Sequence, residues 1–544
     1  MSDQLLLTSL WLVPLIGAGV VLLLPRGAER HAKHVATAFS AAALALAVYA
    51  LVLYVGDDRS AASLADRAAS GGFLTARHDW IPAFKIQYFL GLDGISVSLI
   101  LLTSLTTLLA CLASWPIEKQ PRGYYSLFLL LAATMTGVFL ALDLFLFYVF
   151  FEVMLLPMYF LIAIWGGEDR EYAAIKFLLY TLFGSVFILV AILILYFWTG
   201  DAPAGDFRGG SFDIVKLTGI ASTTGYYGRW IQDWVFVLFL VGFLVKLPSF
   251  PFHTWLPDAH VQAPTPISMI LAGVLLKIGG YGMIRLAWPL APAGALDWSY
   301  AVAALGVFSI VYGALAAMAQ TDFKKLVAYS SVSHMGYVTL GLAAMNLAGG
   351  GAYYAYGVNG AMYMMLAHGI TSAAMFFLVG VIYDRAHTRD LDRLGGLNDV
   401  MPVYGAVSYV IFFGSMGLPG LCGFVAEVFV VLAAFHYSVP MGILAAAAVV
   451  LTAGYILWTI QRVFLGRNEA WKGLPDLSPR EVGISVPLVV LTVLMGVFPQ
   501  ALILRWMSPS VDRMVAGVAS GATQAAGPMA DHADQPPAVV AEAR

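Results

Sequence analysis

Along most of this chain, runs of mostly apolar residues alternate with short polar connections. An α-helix rising about 1.5 Å per residue needs roughly 20 such residues to cross the hydrocarbon core of a bilayer. By that measure the pattern predicts about fourteen transmembrane helices. Their cores fall roughly at 4–24, 35–55, 93–115, 123–141, 143–165, 172–198, 232–250, 265–287, 298–318, 323–346, 353–383, 403–434, 440–463 and 481–505. The first run, Leu5–Leu24, lacks a basic stretch before it and is long enough to span, so it reads as a retained helix. The segment after Met507 is rich in Ala, Pro and Gly with scattered acids and is expected to be disordered.

Two of these runs are interrupted. VGFLVKLPSFPFHTWLPDAHVQAPTPISMILAGVLLKI (Val241–Ile278) has Lys246 inside one apolar run and Lys277 inside the next, with Pro248, Pro251, Pro257, Pro264 and Pro266 between them. Proline removes a backbone donor and clashes with the preceding turn, so the first helix must break just after Lys246. SMGLPGLCGFVAEVFVVL carries Gly417, Pro419, Gly420 and Gly423 ahead of Glu427. The interruptions fall in spans that cross in opposite directions, the pattern of inverted repeats in transporters. The predicted fold is an all-α polytopic membrane protein with two inverted five-helix repeats, each with a broken helix. Helices 1–3 occupy residues 1–121, the repeats 122–290 and 298–466, a loop and last helix 467–507, and a tail 508–544.

Composition agrees with a membrane protein: 60% of the 544 residues are hydrophobic and 11% charged, against about 25% charged in soluble proteins. Charge also orients the chain. The first connection holds Arg26, Arg30 and Lys33, and alternate later ones hold Lys119 and Arg122; Lys324 and Lys325; Arg385, Arg389 and Arg393; Arg462, Arg467 and Lys472. These connections face the cytoplasm by the positive-inside rule, which puts both termini outside. A net charge of −3 suggests no nucleic-acid partner. Cys111 and Cys422 lie in separate apolar runs and cannot form a CxxC site. There is no GxGxxG after a strand, no GxxxxGK[ST] and no haem motif. With hardly room for a soluble domain, no redox cofactor is expected in this chain.

Against that background a few ionisable residues stand out. Glu152 lies nine residues past Asp143, roughly 13 Å into its span; Lys277 lies eleven past Pro266, roughly 16 Å; His334 lies nine past Lys325, roughly 13 Å. His368 is near the middle of its run, and Lys246 and Glu427 fall at similar depth. A lone lysine at mid-bilayer costs about 2.5 to 3.5 kcal/mol on the insertion scale, so such residues are functional candidates. Six of them at half-depth on different helices suggest a row parallel to the membrane, and Glu, Lys and His are the residue types of proton relays. Burial disfavours a charged lysine and a nearby carboxylate favours it, so moving Glu152 relative to Lys246 would make the lysine hold or release a proton. Pro157 loosens helix bonding near Glu152. A static Glu152–Lys246 ion pair and a packing role for His368 are the plainer alternatives. His253 and His260 read as interfacial, Asp322, Lys324 and Lys325 as orienting charges at a helix start, and Tyr148, Phe150 and Phe151 as packing.

FFEVMLLPMYFLIAIWG (Phe150–Gly166), VKLPSFPFHTWLPDAHVQAPTP (Val245–Pro266), LLKIGGYGMIR (Leu275–Arg285), YSSVSHMGY (Tyr329–Tyr337) and AHGITSAAMFFLVGVIYDRAHTRDLDRLGGL (Ala367–Leu397) resemble the antiporter-like membrane subunits of respiratory complex I. The resemblance covers nearly all of residues 90–465. Of the three subunit types, the L-type and N-type have lysine where this sequence has Glu427. The resemblance implies fourteen helices and a proton channel driven by NADH oxidation and quinone reduction elsewhere. NADH, FMN, iron–sulfur clusters and quinone would then be bound by partner subunits, with L-type and N-type subunits as neighbours in a bacterial inner membrane. It also implies Glu152 and Lys246 as a coupled pair, Lys277 and His334 as a central relay, and His368 with Glu427 leading outward. A subunit of a cation/proton antiporter is the competing function.

Overall fold

The computed structural model describes residues 2–69, 72–200, 210–223 and 228–525. The helices of the first part are α1 Asp3–Leu22, α2 Ala32–Gly56, α3 Leu64–Ala69, α4 Gly94–Ala113, α5 Pro121–Leu140, α6 Leu144–Val153, α7 Leu155–Trp165, α8 Arg170–Gly200 and α9 Ile214–Thr223. The middle holds α10 Arg229–Lys246, α11 Trp255–Gln262, α12 Thr265–Ile270, α13 Leu276–Gly282, α14 Trp288–Leu290, α15 Pro292–Asp297, α16 Ser299–Met318 and α17 Phe323–Ala343. The last part holds α18 Ala352–Ala386, α19 Leu397–Val400, α20 Pro402–Met416, α21 Cys422–Tyr437, α22 Val439–Val463, α23 Pro479–Val497 and α24 Arg505–Ala525. Among the described residues, 11 helices are long and apolar enough to cross a membrane. Helices α10 and α17 are also of spanning length, 18 and 21 residues, with polar side chains on buried faces.

Two long helices form the centre. Thr265–Leu290 and Ala352–Ala386 are wholly buried over their most apolar stretch, whereas α1, α2, α8, α22 and α23 keep most of theirs on the surface. The central pair carries Lys277 and His368. A charged or polar side chain there avoids lipid, which is where intramembrane ionisable groups belong. The helix Thr265–Leu290 is not uniform: π turns at Leu271–Leu275 and Met283–Ala287 bracket α13. A π turn holds one residue more than an α turn and rotates everything beyond it, so the sequence period alone cannot place Lys277.

The two interruptions lie where the prolines and glycines put them. Helix α10 stops at Lys246 and α11 starts at Trp255. In the second, α20 stops at Met416, Gly417 and Gly420 take positive φ of 81° and 89°, and α21 starts at Cys422. Each break leaves carbonyls without a helical donor, and side chains supply one. Trp255 Nε1 donates to Val245 O at 2.9 Å across the first break. A third discontinuity falls at Met154, between α6 and α7 and three residues before Pro157, whose ring clashes with the preceding turn.

The all-α architecture expected from the sequence holds, with one local addition: β1 Thr75–Ile81 and β2 Ile86–Gly91 form an antiparallel hairpin, with Thr75 opposite Gly91 and Asp79 opposite Gln87. Its strands, TARHDWI and IQYFLG, are too short to span and do not show the strict apolar/polar alternation that marks a strand in sequence. Two expectations need correcting. The tail is helical as far as Ala525, burying Met507, Val511, Val515, Val518 and Ala522 on one face. That spacing is a helical stripe hidden by the Ala/Gly content; residues 526–544 lie outside the described residues. Asp322 does more than orient the chain, since it caps α17 by accepting from Lys324 N at 2.7 Å and Lys325 N at 2.9 Å. Asp93 and Asp143 cap α4 and α6 in the same way.

Candidate functional site

Lys246 is the last residue of α10 and is only 1% exposed. Its Nζ has no hydrogen-bond partner among the described residues. Instead it lies 5.3 Å from the centre of the Phe151 ring and 5.4 Å from that of Phe177. These rings offer the ammonium their negative faces, at about 0.5 to 2 kcal/mol each. Phe151, read from sequence as packing, is thus also a cation contact. Glu152 is the charge that acts on Lys246, yet the two do not form a contact ion pair, and Glu152 Oε1 is buried without a partner among the described residues. Two opposite charges held near each other but apart are separable by a small movement. The discontinuity at Met154, two residues beyond Glu152, is where α6 and α7 can shift against each other.

Lys277 sits across the interface from the end of α10. Gly279 makes that approach possible: a Cβ there would stand 2.7 Å from both Leu247 N and Phe243 O. Gly279→Ala is therefore expected to force the two lysine-bearing helices apart, costing about 1 to 3 kcal/mol, and to lower both turnover and melting temperature. Gly219→Ala, with open space around its Cβ, is the matched control that leaves both unchanged.

The Lys277 Nζ donates to Ala272 O at 2.5 Å and lies 2.7 Å from His368 Nδ1. Ala272 is inside the first π turn, where the change from i→i−5 to i→i−4 bonding passes over a carbonyl. Along the Nζ–Nδ1 line there is room for one proton. Either an ammonium donates to a bare imidazole nitrogen, or the imidazole N–H donates to a neutral amine. The two states differ only in where that proton sits.

From His368 the row continues to His334, with ring centres 5.4 Å apart. His334 Nδ1 is 2.8 Å from Ser330 O, and Nε2 is 2.9 Å from Ser415 O. A carbonyl oxygen only accepts, so each of these bonds needs an N–H. A neutral ring makes one of them; the imidazolium makes both. Ser415 lies in the last turn of α20, so the broken helix directs its free carbonyl at the histidine. Two residues on, the carboxylate of Glu427 occupies the space a Gly417 Cβ would fill. Glu427 is buried, and its Oε1 has no partner among the described residues.

The six predicted residues thus fall into three groups: Glu152 with Lys246; Lys277, His368 and His334 in sequence; and Glu427 at the second break. The order differs from that implied by the family resemblance. His368 stands between Lys277 and His334, not beyond them, because the π turn directs Lys277 at α18. Four other positions bear on the site. His253 and His260 are buried within the protein, 2% and 0% exposed. Lys324 is also buried and donates to Ala263 O at 2.6 Å. Arg285 forms a buried ion pair with Asp93 at 2.7 Å, tying the Lys277 helix to the start of α4. Asn at position 93 would still cap α4 but would strand the Arg285 charge. Asp93→Asn is expected to cost about 3 to 5 kcal/mol, read as a lower melting temperature of the detergent-solubilised protein.

Comparison with known proteins places this arrangement. A family profile described as NADH:quinone oxidoreductase/Mrp antiporter, transmembrane, matches residues 141–452, and one described as NADH-ubiquinone oxidoreductase chain 4, amino terminus, matches residues 72–142. NADH-quinone oxidoreductase subunit M of Rhodobacter capsulatus is 41% identical over 94% of this chain and 96% of its own. The chain belongs to the subunit M (chain 4) family of NADH-quinone oxidoreductase. A second family member, NAD(P)H-quinone oxidoreductase chain 4 1 of Synechococcus elongatus, is 40% identical over 91% of this chain and 88% of its own. Among solved structures, a chain of respiratory complex I from Thermus thermophilus superposes with a TM-score of 0.81 at 29% identity, covering 94% of this chain and 99% of that one. A chain of the Mrp complex from Dietzia sp. DQ12-45-1b shares the fold, with a TM-score of 0.77 at 24% identity, and covers 94% of this chain and 52% of that one. The family profile begins at Ala141 and so takes in all six residues, Glu152 to Glu427.

Proposed function

We propose that this chain translocates protons as an antiporter-like subunit of the membrane arm of a respiratory NADH-quinone oxidoreductase. The observation that carries the reading is the buried succession Lys277–His368–His334, in which each member lies within hydrogen-bond or ring contact of the next. Protons move along it by changes of N–H partner, and the separable Glu152–Lys246 pair sets the charge at its beginning. Glu427, beside the second break, is the terminal site. The energy comes from NADH oxidation and quinone reduction in partner subunits, which hold FMN, iron–sulfur clusters and quinone. L-type and N-type membrane subunits are its neighbours.

The broken helices α10–α11 and α20–α21 belong to two inverted repeats, near 122–290 and 298–466. The basic connections support an orientation in a bacterial inner membrane with those connections in the cytoplasm and both termini on the outer side. The test is to purify the chain with its natural partners in mild detergent and reconstitute the complex in vesicles. NADH with a quinone is expected to drive uncoupler-sensitive acidification of the lumen. A complex without NADH-oxidising subunits that exchanges a cation for protons would support the antiporter reading instead.

A further inference from the structure

Helix α6, which carries Glu152, is only ten residues long and has the Met154 discontinuity at its far end. What fixes it at the near end is Asp143. This residue has no solvent exposure and precedes the spanning helix Leu144–Trp165. One carboxylate oxygen, Oδ1, caps α6 by accepting from Phe145 N at 2.9 Å and Leu146 N at 3.0 Å. The other, Oδ2, faces the hairpin and accepts from Gln87 N of β2 at 3.1 Å. A cap needs only the first oxygen, and Asn or Ser would supply it as well. Burying a carboxylate costs more than burying either of those, so the second bond has to account for the choice of Asp.

The surroundings show what the second bond does. The connection between α5 and α6 runs along β2 as a short extra strand: Leu142 N donates to Phe89 O at 2.9 Å, and Leu90 pairs with Ala141. On its other side Asp143 pairs with Asp213, Leu144 N donates to Phe212 O at 2.8 Å and Ile214 N to Leu142 O at 3.0 Å. Arg77 of β1 donates to Asp213 Oδ2 at 2.6 Å. The guanidinium thus serves Asp213, and the bonds to Asp143 come from backbone N–H groups. The elements packed against it add the titratable side chains His78 and Asp79 of β1, Tyr88 of β2 and Lys216 of α9. A helix of this length moves as a rigid rod, so a displacement at Asp143 is carried to Glu152, roughly 13 Å along.

We propose that Asp143 is a positioning residue for the proton relay: by tying β2 to the start of α6, it fixes how far Glu152 stands from Lys246. The proposal rests on the relay reading given above. The tie is also reversible. Burial lifts the Asp143 carboxyl to about 7, the three backbone N–H groups oppose the shift, and the Asp213 carboxylate adds to it. Above that pH both oxygens accept. Below it a proton on Oδ2 displaces the Gln87 N–H while Oδ1 goes on capping α6. Acid therefore loosens the hairpin from α6 without uncapping the helix.

The deciding variants are Asp143→Asn and Asp143→Ser in the assembled complex. Both keep a side-chain oxygen for the α6 cap. Asn sets an amide NH2 group against the Gln87 N–H, and Ser is too short to reach it. Both are expected to assemble on native gels and to lose about tenfold in NADH:quinone turnover at alkaline pH. KM for NADH and for quinone is expected to stay unchanged, since on the reading above both bind in partner subunits. The ratio of variant to parental turnover is expected to rise towards one as the pH falls below about 7, because acid breaks the same bond in the parent. A residue that only caps α6 predicts parental turnover in both variants. One that only supports the fold predicts a ratio independent of pH. Either result overturns the proposal. Lys246→Ala, measured alongside, separates the two readings. If it is silent, the relay itself fails. If it abolishes pumping while both Asp143 variants keep the parental rate, only the positioning role fails.

Discussion

Lys246→Ala is expected to leave the complex assembled and to remove most of its NADH:quinone reductase and proton-pumping activity, a loss of about 10²-fold. Assembly survives because the ammonium is buried without a hydrogen-bond partner among the described residues. Its removal breaks no contact ion pair, though it takes the longer-range attraction to Glu152 with it. What is lost is about 0.5 to 2 kcal/mol for each aromatic contact, with Phe151 and Phe177. In the proposed relay, activity fails because the proton-exchanging group opposite Glu152 is gone. Lys246→Arg is expected to fail nearly as badly, since a guanidinium keeps the charge and does not let the proton go. Glu152→Ala is expected to match Lys246→Ala. NADH-driven acidification of vesicles, measured with blue-native gels for assembly, checks all three. Parental rates in Lys246→Ala would show the residue to be a passenger.

The second large effect is expected at the Lys277–His368 contact. His368→Ala leaves Lys277 Nζ with the Ala272 carbonyl alone, which accepts a hydrogen bond and cannot carry a proton onward. It also removes the ring between Lys277 and His334. Pumping is expected to fall about 10²-fold. His368→Gln, which keeps a polar group at the site but does not relay, is expected to do no better. If the contact were only structural, His368→Gln would restore activity by remaking the bond to Lys277. Proton flux per NADH oxidised, compared between the two variants, distinguishes these cases.

The sequence went a long way because a bilayer is a demanding solvent. Span length follows from its thickness, and a charge inside it is expensive enough to require a use. Lys246, Lys277 and Glu427 could be singled out on that ground alone, and the breaks after Lys246 and Met416 followed from proline and glycine chemistry. Where the reading failed, the cause is specific. The amphipathic helix Arg505–Ala525 looked like a disordered tail because its buried stripe consists largely of valines among alanines and glycines. Lys324 looked like an orienting charge because its position at a helix start is what such a charge occupies; only the Ala263 carbonyl shows that it turns inward.

The sequence by itself determined which side chains carry the charge and roughly how deep they lie, since both depend on local composition and on rise per residue. It could not determine which of them meet. That depends on how each helix is rotated about its axis, which the π turns at Leu271–Leu275 and Met283–Ala287 reset and the packing of α13 against α10 and α18 fixes. Thus Lys277 against His368, and His334 against the Ser415 carbonyl, are products of the tertiary structure.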